Sequence, residues 1–301
     1  TFSTWGTAAD MSTGTTGVPV EAYDVTQKNV VVARDKFDGA IDMIQIDVAG
    51  QDVNGAFQAE IHPDNATLLL KTWPGIPRTG QANGVPDNSL PSYTVDVYRN
   101  GLDKYFRQTG VMVDTLRISC AGPDGELIGN FDCHGKQETE ISSFSRPTLP
   151  DQASFQFKHT HDGTVSTVKF GATAEPNITQ FEIAVPNNLH PSERRDTNGR
   201  RIWIDAGVRG EITFSGNLRS HTDWALDYTG LVRGQNTGTA FEVTFNYPGT
   251  GSPIDSVKIE LPRLVLAECN PAGGARDIES HTLNGTARKT AGQDAIVITN
   301  T

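Results

Sequence analysis

The sequence is poor in cysteine, in long apolar runs and in surplus basic charge. Three cysteines (Cys120, Cys133, Cys269) in 301 residues are too few, and odd in number, for a disulfide scaffold. They suit folding and assembly in a reducing cytoplasm. No apolar run approaches the ~20 residues that a membrane-spanning helix needs. Thr1-Phe2-Ser3-Thr4-Trp5 lacks the basic start and apolar stretch of a secretory signal, and Thr1 is read as the residue following a removed initiator Met. Without secretion, the glycosylation patterns at Asn65, Asn177 and Asn284 are chance matches. Lys and Arg number 25 against 36 Asp and Glu, a net charge of -11. A groove that grips nucleic acid needs the opposite balance, whereas a wall past which DNA slides is expected to be neutral or acidic.

Catalytic signatures are also missing. There is no Gly-x-Ser-x-Gly elbow, no His-Glu-x-x-His helix and no Gly-x-x-x-x-Gly-Lys loop. His159-Thr160-His161-Asp162 would place two imidazoles on one strand face. No third ligand shows in the spacing, so it is read as a strand entering the Asp162-Gly163 turn. Cys133-His134 would point to opposite faces of a strand, which suits a buried, inert thiol better than a nucleophile with its base. No catalytic residue, metal ligand or cofactor is expected.

What is present is alternation with period two, the mark of half-buried strands. Ile44, Ile46 and Val48 alternate with Gln45 and Asp47. The same holds for Tyr93-Val95-Val97, Leu116-Ile118 and Phe241-Val243-Phe245. Asp38-Gly39, Asn100-Gly101, Asp124-Gly125, Asp162-Gly163 and Asn198-Gly199 supply turns between the runs. Two short helices interrupt them. One has Asp64 as N-cap, an apolar face of Ala66, Leu69, Leu70 and Trp73, and a stop at Pro74-Gly75. The other follows Ser220 and Asp223, carries Trp224 and Tyr228 on one face, and ends at Gly230.

These helices open an internal duplication. Gly55–Ile61 leads into the first helix as Gly210–Leu218 leads into the second. Downstream, Tyr93–Val97 matches Phe241–Phe245, Val113–Ile118 matches Ile254–Ile259, and Leu127–Phe131 loosely matches Leu283–Ala287. The length fits about two domains. With Pro147 and Pro150 in a linker, the division expected is 1–145 with an N-terminal arm and 146–301 with a C-terminal arm. Long polar loops run from Gly75 to Pro91 and from Asn187 to Arg201. Arg78, Asn83, Asp87, Arg194, Arg195, Arg200 and Arg201 in them are candidates for contacts between subunits.

The order of segments resembles the tail tube proteins of long-tailed bacteriophages. The resemblance runs through Trp5–Ala9, Gly55–Gly75, Ser92–Gly101, Val113–Glu138, Gly207–Gly230 and Val297–Asn300. It implies a mainly β fold of two tandem tube-like β-sandwich or barrel domains, each with one short α-helix. It implies a structural virion protein, assembled in the host cytoplasm, whose rings stack around a channel that conducts DNA. Partners would be other copies of the chain, a tape-measure protein and a terminator, with DNA only in transit and no membrane. Two copies of the unit per chain suggest a ring of three chains with pseudo-sixfold symmetry, or of six chains if only one domain lines the channel, and Asp42, Asp47, Asp96 and Glu242 are candidate lumen acids. Alternatives are a terminator, hub or decoration protein of the tail, or a carbohydrate-binding β-sandwich. The last expects clustered aromatics, whereas Trp5, Trp73, Trp203 and Trp224 are dispersed.

Overall fold

The computed structural model of the chain describes residues 17–34, 45–61, 63–72, 90–121, 126–144, 166–171, 173–174, 178–206, 210–219, 238–246, 256–272 and 280–300. The fold is mainly β. In the first half the strands are β1 (Ala22–Tyr23), β2 (Thr26–Arg34), β3 (Gln45–Glu60), β4 (Tyr93–Arg99), β5 (Lys104–Ala121), β6 (Leu127–Gly135) and β7 (Gln137–Ile141). In the second they are β8 (Ser166–Phe170), β9 (Thr173–Ala174), β10 (Ile178–Pro186), β11 (Leu189–Pro191), β12 (Ile204–Ala206), β13 (Ile212–Arg219), β14 (Thr239–Asn246), β15 (Ser256–Ala272), β16 (Ser280–Ala287) and β17 (Val297–Asn300).

Alternation decides which face of each strand enters the core. In β6, Leu127, Gly129, Phe131, Cys133 and Gly135 are buried and the residues between them are half-exposed. In β14, Phe241, Val243 and Phe245 are buried in the same way. The two longest strands each change neighbours along their length. The first part of β5 lies between β4 and β7, and its second part lies between β6 and β10. The first part of β15 lies between β14 and β17, and its second part pairs with β16. Where β5 changes neighbours stands Gly110 at φ 67, a backbone conformation that a side chain would strain. The strands enclose an apolar cluster that includes residues of both halves, among them Leu116, Ile118, Phe131, Phe181, Phe214, Phe241 and Ile259.

The first expected helix is present but is not regular. An α-helical turn, α1 (Pro63–Ala66), runs into a π-helix at Thr67–Thr72. Ala66, Leu69 and Leu70 of its expected face are buried, and Trp73 lies outside the described residues. The second expected helix, the division at 145/146, His159 and His161 lie outside the described residues.

Candidate assembly interface

The pairing order contains the same motif twice. In the first half, β1 and β2 pair with β3, β3 with β6, and β6 with β5. In the second, β10 pairs with β13, β13 with β16, and β16 with β15. The register follows suit. Tyr23 stands opposite Phe57, and Phe57 opposite Phe131. Phe181 stands opposite Gly216, and Gly216 opposite Leu283. Two residues on, Val25 and Ile183 are both fully buried. Each half therefore supplies four neighbouring strands to one sheet, the first place in the first half being shared by β1 and β2.

The halves are joined by β5 and β10, which pair from Gln180↔Ala121 to Pro186↔Thr115. Side-chain chemistry fixes the end of this seam. The Asn187 N–H donates to the Asp114 carbonyl at 2.6 Å, and Asn187 Nδ2 to the Val113 carbonyl at 3.0 Å. The Leu189 N–H donates to Asp114 Oδ1 at 2.7 Å. Beyond the seam, the β11–β12 hairpin reaches back over the first half. Arg195 Nη1 donates to the Gln51 carbonyl at 3.0 Å and to Asp52 Oδ1 at 2.9 Å. Arg201 binds both carboxylate oxygens of Asp52, at 2.9 and 2.7 Å, and the Gln51 N–H donates to the Gly199 carbonyl at 2.9 Å. Gly50 is needed beneath this arm, since a Cβ there would lie 2.5 Å from the Arg195 side chain. Burial alone would raise the pKa of Asp52, but hydrogen bonds from Arg201 and Arg195 outweigh it and hold the carboxyl below its ordinary range.

The residues singled out in the sequence thus have different surroundings. Arg195 and Arg201 are bound to Asp52 of the same chain, while Arg194 is exposed and Arg200 half-buried. Asp96 receives two hydrogen bonds from Arg107, both at 2.7 Å. Glu242 pairs with Lys169 at 3.1 Å and Lys258 at 3.4 Å. Both acids stand on β4 and β14, which pair with the first parts of β5 and β15. Asp47 lies on β3 opposite Val32. Asp42, Arg78, Asn83 and Asp87 lie outside the described residues. Cys133 is buried, and burial, reinforced by the charges of Asp132 and Asp114, raises its thiol pKa. Burial pushes the Cys120 thiol up to about 12. Such thiols stay protonated and unreactive at neutral pH.

Glu21, Glu60 and Glu126 form a cluster that the sequence did not single out. Their carboxylate oxygens lie within 4.8 Å of one another. Burial, followed by a hydrogen bond with Glu126 and the charges of Glu126 and Glu21, pushes Glu60 up to about 7. The folded chain therefore holds this proton more tightly than the unfolded chain, where a Glu titrates near ~4.3. The associated stability is complete at low pH and is lost as pH rises through about 7. Glu60→Gln should melt several degrees above the wild type at pH 8, with a difference that shrinks towards pH 5. Thermal melts across that range check it, and an unchanged pH slope would count against the shared proton.

At both ends of the eight-strand run an edge stays open: among the described residues, no strand pairs with the outer edge of β1 or with the second part of β15 on the side away from β16. A family model described as phage tail tube protein matches residues 3–294. No curated protein matches the chain.

Proposed function

The chain belongs to the phage tail tube protein family, and we propose that three copies of it close into a ring, stacked with others into a tube around a DNA channel. The observation that carries this reading is the doubled four-strand motif in a single sheet whose edges, among the described residues, are open at each end. A sheet so built is completed by another copy of itself, which also removes edges that would otherwise aggregate. Each half then occupies one of six places around the axis, and the division near 145/146 marks the passage from one place to the next.

Three copies of eight strands make twenty-four. With strands about 4.8 Å apart and tilted by about 40°, such a barrel is roughly 48 Å across its backbone. Side chains reaching ~5 Å inward leave a passage wider than a DNA duplex. The sheet face turned away from the core would line it. That face carries Gln58, Asn130, Ser119, Thr213, Ser215, Asn217, Asn284 and Thr286, together with the acids Glu60 and Glu182, exposed Lys28, and Arg117 paired to Asp132 at 2.9 Å. We therefore read the wall as hydrophilic and poor in unpaired cations. It slides past phosphates because it offers them few cations; Asp96 and Glu242 stand on β4 and β14, outside the eight-strand run, and are paired with basic side chains.

Electron microscopy of the purified protein tests the reading. Hollow tubes with three chains in each ring are expected, and six whole chains around the axis would overturn it. The loops between rings or subunits give a second test. Deleting residues 80–88, with Asn83 and Asp87 among them, should leave folded subunits that do not polymerise, and normal tubes from that variant would remove the loop from the interface.

A further inference from the structure

The tube reading leaves open how one chain finds the next, and the seam inside each chain supplies a template. We infer that the second part of β15 takes the start of the next chain's β1–β2 segment as a neighbouring antiparallel strand, in the register that β5 and β10 use within the chain. The inference rests on the ring reading above and adds its partner surface.

The register follows from equivalent positions. Val111 and Leu264 each stand opposite the first residue of the preceding strand, Tyr93 and Thr239. Further along, Leu116 stands opposite Phe131, and Cys269 opposite Leu283. Phe131 and Leu283 are themselves equivalent, because they stand opposite Phe57 and Gly216. On the other strand, Tyr23 and Val25 match Phe181 and Ile183. Within the chain, Ile183 pairs with Ile118, Ala184 with Arg117 and Pro186 with Thr115. Carried to the junction between chains, these pairs place Val25 opposite Pro271, Thr26 opposite Asn270 and Lys28 opposite Glu268.

Two independent features of the chain fit this register. Directly opposed charges of unlike sign stabilise a strand pair and like charges oppose it, and the register sets exposed Lys28 against Glu268. The second is a matched gap in the hydrogen-bond ladder. Pro271 has no N–H to give, whereas the equivalent Ile118 has one. The Val25 carbonyl that would face it needs none. It already accepts from Gln108 Nε2 at 2.7 Å and from Arg99 Nη2 at 3.2 Å. A proline is also the residue an edge strand tolerates, and it discourages wrong partners. A shift by one residue would set Pro271 against another carbonyl and turn each side chain to the opposite face.

Cysteine cross-linking in assembled tubes tests the register. Directly opposed residues bring Cα atoms within the ~4.4–6.8 Å that a disulfide spans, whereas positions two residues off stand ~7–8 Å apart. Thr26→Cys combined with Asn270→Cys should give, on mild oxidation, covalent species that end at three chains. Thr26→Cys combined with Glu268→Cys should stay a single chain, as should Thr26→Cys and Asn270→Cys alone, the former showing that native Cys269 does not substitute. Electron microscopy of each variant before oxidation shows whether tubes are present. Tubes that cross-link through the 26/268 pair, or through neither pair, overturn the register while the tube reading stands. Covalent species that continue to six chains keep the pairing and overturn the three-chain ring. A wild-type chain that forms no ring at all removes the tube reading, and this inference with it.

Discussion

Asp52→Ala should cost the folded chain about 2–4 kcal/mol, because removing one partner of a largely buried ion pair leaves the other charges without compensation. Asp52 is the hub of the arm that ties the second half to the first. Its side chain is 11% exposed, and those of Arg195 and Arg201 are 19% and 17% exposed. Two guanidiniums would be left facing each other over Gly50 with one backbone carbonyl of β3 to bind. Denaturant unfolding of wild type and variant at pH 7 measures the loss, and a difference under half a kcal/mol would show that the arm contributes little. The pH dependence carries a sign. The folded pKa of Asp52 lies below the unfolded one, so its contribution is present above the ordinary carboxylate range and is lost as pH falls through the folded pKa. The two stability curves should converge below about pH 4.

That ion pair was not legible in the sequence, and the reason is physical. The Arg194–Arg201 cluster stood out as charge, but its counter-charge lies on β3, far away in the chain, and only the folded sheet brings them together. The candidate lumen acids show the same limit. Alternation placed Asp96 and Glu242 on strands, yet Arg107, Lys169 and Lys258 neutralise them from adjacent strands, and strand neighbours depend on topology. Local signals read more truly. The Asn100-Gly101 turn joins β4 to β5 as a short 3-10 turn ending in Asp103 at φ 52, and the Ala66-Leu69-Leu70 face is buried as its spacing requires. The π-helical widening of that helix left no mark in the spacing.

The duplication lies between these extremes. Where described, the matched segments fall on corresponding strands but out of register: Val113–Ile118 and residues 256–259 belong to different parts of their strands, and Phe131 corresponds to Leu283, not to Ala287. Val113–Ile118 lies in the part of β5 that pairs with β6, whereas Val257–Ile259 lies in the part of β15 that pairs with β14 and β17. Both long strands alternate from end to end, so a match of pattern alone cannot tell one part of the strand from the other. The pairing partners decide it, and the corrected register is the one that yields the junction between chains.

Replacing Gln108 by Met should destabilise the chain by about 3 kcal/mol and should also weaken ring closure. Gln108 is fully buried on β5, where it serves as a polar crossroads. The Tyr23 hydroxyl donates to its Oε1, and its Nε2 donates to Glu138 Oε2 and to the Val25 carbonyl, both at 2.7 Å. Methionine fills the volume but offers no donor or comparable acceptor, so the Tyr23 hydroxyl loses its partner in a buried site, at a cost of ~1–3 kcal/mol for such a group. Arg99 still reaches Glu138 at 2.6 Å and Val25 at 3.2 Å, which keeps the loss short of collapse. Burial, the first cause, already raises the Tyr23 pKa, so the orphaned hydroxyl has no escape through ionisation. Denaturant unfolding of the monomeric chain reads the first effect. The second follows from the proposed junction, where Val25 faces a proline and depends on its own chain for donors. The critical concentration for tube formation should rise in Gln108→Met by more than in a core variant of comparable stability such as Leu116→Ala. Equal critical concentrations would mean that Gln108 supports the fold alone and that the Val25 carbonyl plays no part in joining chains.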